Sequence, residues 1–140
     1  MSPYSLQSSI LIHSDPEAIQ AVYADVANWH AWDPDTRSAQ LDGPFAAGST
    51  GKLVPSKGLP VRMVVTEVRP GGGFTVQCPV FGSVMRFEHV LKTTAQGVEL
   101  THRVTFSGWL ASLLMRWVGK PLAARLPLTL ARLKQHVEEC

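Results

Sequence analysis

The chain has 140 residues, 45% hydrophobic and 17% charged, with a formal net charge of +2. That length supports one soluble domain with a sizeable core and is too short for two comfortable ones. No Lys or Arg precedes Arg37, whereas Arg116, Lys120, Arg125, Arg132 and Lys134 crowd the last third. These cations fall one per turn or two between leucines, as on a solvated helix face, so nucleic acid is not expected as a partner and neither is a membrane.

The first residues show no basic start followed by an apolar run, which argues against a secretory signal. The longest apolar-rich run, Trp109 to Val118, is roughly half the ~20 residues that a membrane span needs, and Arg116 interrupts it. Cys78 and Cys140 lack CxxC spacing and are expected to be free thiols, Cys78 as a small core residue rather than a nucleophile. Together these features point to a cytoplasmic protein.

Ser5 to His13 supplies a first strand. Ser14-Asp15-Pro16-Glu17 then starts a helix, with a capping side chain, Pro in the first turn and an acid near the positive end of the dipole. Ile19, Val22, Tyr23 and Val26 share its apolar face. It is expected to end near Asn28, before WHAWDPD, whose Pro34 and aspartates make a turn or a single helical turn. From Arg37 onward the pattern is strand-like: SAQLDG, GSTGKLV, PVRMVVTEV, FTVQC, SVMRFEHVLK and VELTHRVTFS. The joints GPFAAG, PSKGLP, RPGGG, PVFG and TTAQG are short and polar, Gly-rich or Pro-rich, so the sheet is expected to be antiparallel. After Gly108 the period lengthens to about 3.6, and Leu122, Leu126, Leu130, Leu133 and Val137 form an apolar stripe. Gly119-Lys120-Pro121 and Pro127 disturb this last helix, so two sections or a kink are expected.

The element order is that of a single α+β domain. Several stretches, WHAWDP, LDGPFAAGSTG, VVTEVRPGGGF, the pair FEH and LTH, and LARLKQHVEE, carry a likeness to a known group. The chain resembles the START-like (SRPBCC) helix-grip superfamily, and within it the polyketide cyclase/dehydrase group. The resemblance implies one ligand-binding domain over residues 1–140. It implies a curved antiparallel sheet of six or seven strands wrapped around the long C-terminal helix, with a short helical region after the first strand. Members of the group include enzymes, carriers and proteins with no known ligand, so the resemblance leaves the chemistry open.

Side chains alternate across a strand, which puts Met85, Phe87, His89 and Leu91 on one face and Arg86, Glu88 and Lys92 on the other. The next strand places Leu100, His102, Val104 and Phe106 on its apolar face. With the turn at Thr94 to Gly97, Lys92 faces Glu99, Glu88 faces Arg103, and His89 stands opposite His102. A slip of two residues sets Arg86 against Arg103, and a slip of one turns an apolar face outward. Such a pair can be core histidines bonded to neighbours, anchors for a ligand's polar group, or a general acid and base. A metal site lacks a clear third ligand. Glu67 lies in VRMVVTEV, which is apolar on both parities, so its direction is open.

Trp29, Trp32, Met63, Phe74, Met85, Phe87, Phe106, Trp109, Leu113 and Trp117 join the histidines as candidate cavity residues, large and soft enough for a flat apolar ligand. GPFAAGSTG, PSKGLP and Trp109 to Pro121 are the candidate gates. The expected function is binding of a small hydrophobic or aromatic molecule, a lipid included, by a monomer or homodimer without cofactor or metal. The alternative is a cyclase/dehydrase using His89 and His102 as acid and base. A third possibility is a lipid-handling protein whose basic, Trp-rich helix meets a membrane surface.

Overall fold

A computed structural model describes residues 4–80 and 82–139; Phe81, in the expected PVFG joint, and Cys140 lie outside the described residues. Strand β1 (Ser5–Ile12) leads into helix α1 (Pro16–Ala24). The Asp15 carboxylate caps α1, accepting from the Ala18 N–H at 2.8 Å. The helix ends earlier than Asn28 because Asp25 turns out of the helical region, at φ −84° and ψ 68°. A 3₁₀ segment (Val26–Ala31) takes over. Three residues per turn stack Val26, Trp29 and the following Trp32 on one side, and all three are buried.

The strands that follow are β2 (Thr36–Leu41), β3 (Thr50–Pro55), β4 (Val61–Arg69), β5 (Gly73–Val80), β6 (Ser83–Thr94) and β7 (Gly97–Gly108). They form one antiparallel seven-stranded sheet in the order β1-β7-β6-β5-β4-β3-β2. Strand β5 runs to Val80, past the expected joint, and Val80 pairs with Ser83. The β6–β7 register is the one that matches outer charges: Lys92 opposite Glu99, Glu88 opposite Arg103, His89 opposite His102. Glu88 and Arg103 lie 3.5 Å apart.

An irregularity between Val65 and Glu67 explains the double apolar parity of β4. The extra residue turns Met63 and Val65 inward and leaves Glu67 outside, 3.0 Å from Arg69. Gly73, at φ +100°, opens β5 where a Cβ would lie 1.9 Å from the His89 carbonyl oxygen. Only glycine allows that approach.

The C-terminal helix is in two α-helical sections, α2 (Ala111–Leu114) and α3 (Lys120–Glu138), joined by a π-helical turn over Met115–Gly119. The wide turn falls just before Pro121, which has no N–H to return to the preceding turn. Helix α3 continues through Pro127. Its buried side carries Leu126, Thr129, Leu130, Leu133 and Val137 into the concave face of the sheet, with Leu122 half-buried. Gly119 is buried so tightly that a Cβ there would meet Met115 Sδ at 2.5 Å and Phe106 at 3.1 Å. The sheet thus grips a long C-terminal helix, as the resemblance implies.

Candidate functional site

The site begins with the β6–β7 register, which brings the two inward imidazoles to a ring-centroid distance of 4.5 Å, nearly edge to face. His89 is stacked between Phe74 (4.0 Å, 3° between planes) and Phe87 (4.6 Å, 7°). Its Nδ1 lies 3.2 Å from the Phe74 carbonyl oxygen. A carbonyl only accepts, so Nδ1 carries the proton and Nε2 keeps a lone pair. Burial, reinforced by the neighbouring His102, holds the His89 pKa well below the ordinary imidazole value.

His102 Nε2 lies 2.8 Å from the Tyr23 hydroxyl, delivered by α1. Burial lowers the His102 pKa to about 3. Burial likewise pushes the Tyr23 phenol well above its ordinary value, so both groups are neutral across the physiological range. Trp29 Nε1–H donates to the Tyr23 carbonyl at 2.9 Å. His102 Nδ1 and Trp32 Nε1, both buried, have no hydrogen-bond partner among the described residues.

These groups border a cavity of about 50 Å³. Of the residues singled out from the sequence, Trp29, Trp32, Met63, Phe74, Met85, Phe87, His89 and His102 line it. Phe106, Trp109, Leu113 and Trp117 do not. Phe106 is buried in a separate cluster with Val104 and Ala111. Trp109 and Trp117 are 80% and 71% exposed, and Leu113 is 39% exposed. Trp109 stands in the turn that precedes α2, and Leu113 and Trp117, four residues apart, fall on the outer side of the helical segment, while Ala111, Leu114, Met115 and Leu122 pack inward.

The wall also holds residues that sequence inspection passed over: Asp33, Thr36, Leu53, Val76, Cys78 and Thr129. Thr129 lies between leucines of the apolar stripe, and that position could have identified it. Asp33 looked like a turn former, and it is one: Oδ1 accepts from the Asp35 N–H and Oδ2 from the Thr36 hydroxyl, each at 2.9 Å. Burial nevertheless raises its pKa. Cys78 is a buried free thiol whose pKa burial raises to about 11, so it is a wall residue rather than a nucleophile. Glu67, on the outer surface, does not join the histidines.

Chemically, the site is an apolar chamber with a few fixed polar atoms, which suits orienting one oxygen of a mostly hydrophobic molecule. Among the described residues no helix is long and apolar enough to cross a membrane.

The fold and the family follow from comparison with known proteins. Among solved structures, a protein of Thermus thermophilus superposes with a TM-score of 0.75 at 15% identity, covering 96% of this chain and 97% of that one. Ara h 8.0201 matches at 0.74 and 11% identity, covering 97% and 98%. The di-domain ARO/CYC StfQ from the steffimycin biosynthetic pathway matches at 0.76 and 13% identity; 97% of this chain aligns with 51% of that one. Similarity this distant speaks to the fold alone. No curated protein matches the sequence. The family model for polyketide cyclase/dehydrase and lipid transport matches residues 4–138. With nearly its whole length accounted for in this way, and a curled sheet gripping the last helix, the chain belongs to that family within the START-like helix-grip superfamily.

Proposed function

We propose that the chain binds a small hydrophobic or aromatic molecule between the concave face of the sheet and α3, in a cytoplasmic setting. The observation that carries this reading is the neutral histidine pair, walled by Phe74, Phe87 and tryptophans, at the edge of a mainly apolar chamber. Ligand pockets commonly hold about 300–1,000 Å³, so the chamber of about 50 Å³ is a starting volume that a ligand enlarges. Met63 and Met85 in its wall supply unbranched side chains that re-rotate readily.

The family also supports a cyclase or dehydrase role, with His89 and His102 as acid and base. The electrostatics favour binding. An imidazole whose conjugate acid has a pKa of about 3 accepts a proton poorly at neutral pH.

The test is fluorescence titration with 1-aminoanthracene, an apolar dye that brightens when water is excluded. Native protein is expected to enhance its emission, and cavity-filling Val76→Phe and Met85→Trp are expected to abolish the enhancement while circular dichroism stays native. Equal enhancement by native protein and both folded variants would show the dye binding elsewhere and refute the site. Turnover of a cyclisable poly-ketone that His89→Ala and His102→Ala together abolish would restore the catalytic reading.

A further inference from the structure

Besides the His89 Nε2 lone pair, the chamber wall holds two buried nitrogens with no hydrogen-bond partner among the described residues, and the sense of each of these is definite. Trp32 Nε1–H is a donor and nothing else. The sense of His102 Nδ1 follows from Tyr23. The Tyr23 hydroxyl is fully buried, and His102 Nε2, at 2.8 Å, is the partner that the structure gives it. If Nε2–H donated to the phenol oxygen, the phenol hydrogen would have no acceptor and Nδ1 would be an unused lone pair. If the phenol donates to Nε2, both are served and only the Nδ1–H is left over. The second arrangement strands fewer buried groups, so Tyr23 fixes His102 as a donor toward Nδ1.

His102 and Trp32, with ring centroids 6.4 Å apart, line the same small chamber. Both unpartnered nitrogens are buried. Two residues that each carry an N–H donor without an acceptor among the described residues therefore line one small, mainly apolar chamber. No Lys or Arg lines it, and Asp33 does, so an anionic ligand would have no counter-charge there.

Resting on the binding function proposed above, we infer that Trp32 Nε1–H and His102 Nδ1–H form an acceptor-oxygen site. They select an uncharged ligand with an exposed carbonyl-type oxygen over its hydrocarbon analogue, and Tyr23 is the positioning residue that sets the sense of His102. Neutral donors in an enclosed site discriminate by leaving themselves unpaired against the wrong ligand.

The experiment compares 1-indanone with indane, which share a ring frame and differ in the oxygen, by NMR titration of the full chain. The ketone is expected to bind roughly tenfold tighter, consistent with one or two neutral hydrogen bonds. Trp32→Phe, which keeps a ring and removes the N–H, is expected to weaken 1-indanone about fivefold more than it weakens indane. Long-range ¹H–¹⁵N spectra of the native protein are expected to show His102 protonated at Nδ1 and bare at Nε2, and Tyr23→Phe is expected to erase that preference. Equal affinity for the two probes, indifference of the ketone to Trp32→Phe, or an Nε2–H tautomer at His102 would each overturn the acceptor site. The binding function would survive any of these so long as indane or 1-aminoanthracene still binds. Failure of all three probes would overturn both.

Discussion

Tyr23 ties α1, the 3₁₀ segment and the sheet together through one side chain and its own carbonyl. Its hydroxyl meets His102, its carbonyl receives Trp29 Nε1–H, and its ring lies edge-on to Phe74 at 4.8 Å and to His89 at 5.3 Å. Tyr23→Phe keeps the ring contacts and strands His102 Nε2, so urea unfolding is expected to show a loss of about 1–3 kcal/mol. The histidines also set a pH dependence. Their folded pKa values lie below the unfolded value near 6.5, so the unfolded chain binds more protons once pH drops below it. Their contribution is complete above pH ~6.5 and is lost as pH falls toward the folded values, with a slope approaching about 1.4 kcal/mol per pH unit for each histidine. Asp33, raised in the fold by burial, acts in the opposite sense. The urea midpoint is therefore expected to fall between pH 7.5 and 5.5, and His102→Phe is expected to flatten that fall. The histidine pairing was legible because the charges on the outer face had one good register. The tryptophans were not, because composition says that a residue is large and apolar without saying on which side of its segment it falls. Trp109→Ala and Trp117→Ala are expected to change stability by no more than about 0.5 kcal/mol each. Trp29→Ala is expected to cost about 3–5 kcal/mol. Acrylamide quenching is expected to reach the first two and spare Trp29 and Trp32.

At the scale of elements, Gly73, Gly119 and one bulge shape the fold in ways that no periodicity announces. Gly73 lets β5 pass against the β6 backbone at His89, so Gly73→Ala meets a carbonyl at 1.9 Å as well as an unfavourable φ. A loss of more than about 2 kcal/mol is expected by urea titration. The bulge at Thr66 could not be read from VRMVVTEV, because a strand that changes phase midway has apolar residues on both parities. Helix α1 was placed correctly at its start, where Asp15 and Pro16 are local signals, and too long at its end. There the switch to three residues per turn is driven by burial of Trp29 and Trp32, which is tertiary. The candidate gates also divide. The GPFAAG loop is tied to β4, with Gly48 N–H donating to Val65 O at 2.7 Å and Val65 N–H to Ser49 O at 2.8 Å. Phe45 is set against Phe74 at 5.0 Å. Residues 57–60 are exposed, Leu59 by 74%. Hydrogen exchange is expected to be fast in 57–60 and slow at Gly48 and Val65; protection at 57–60 equal to β6 would refute this.

For the molecule as a whole, the fold was legible because its layers have distinct periods: strands of period two, then a helix of period 3.6. The apolar stripe on that helix became the surface gripped by the sheet. What the sequence did not convey was how little space remains inside, since chamber volume is a small difference between large packed volumes. The sheet is also open. Strands β1 and β2 are its two edges, although only α1 and the 3₁₀ segment separate them in sequence. A barrel closed by hydrogen bonds around its whole circumference has a radius set by strand number and stagger. Here nothing of that kind fixes the curvature, and the helix seated in the trough acts as the gauge against which the sheet bends. Interior capacity is thus an adjustable dimension of this architecture, retuned by a change of bulk along one helix while every strand keeps its neighbours and its register.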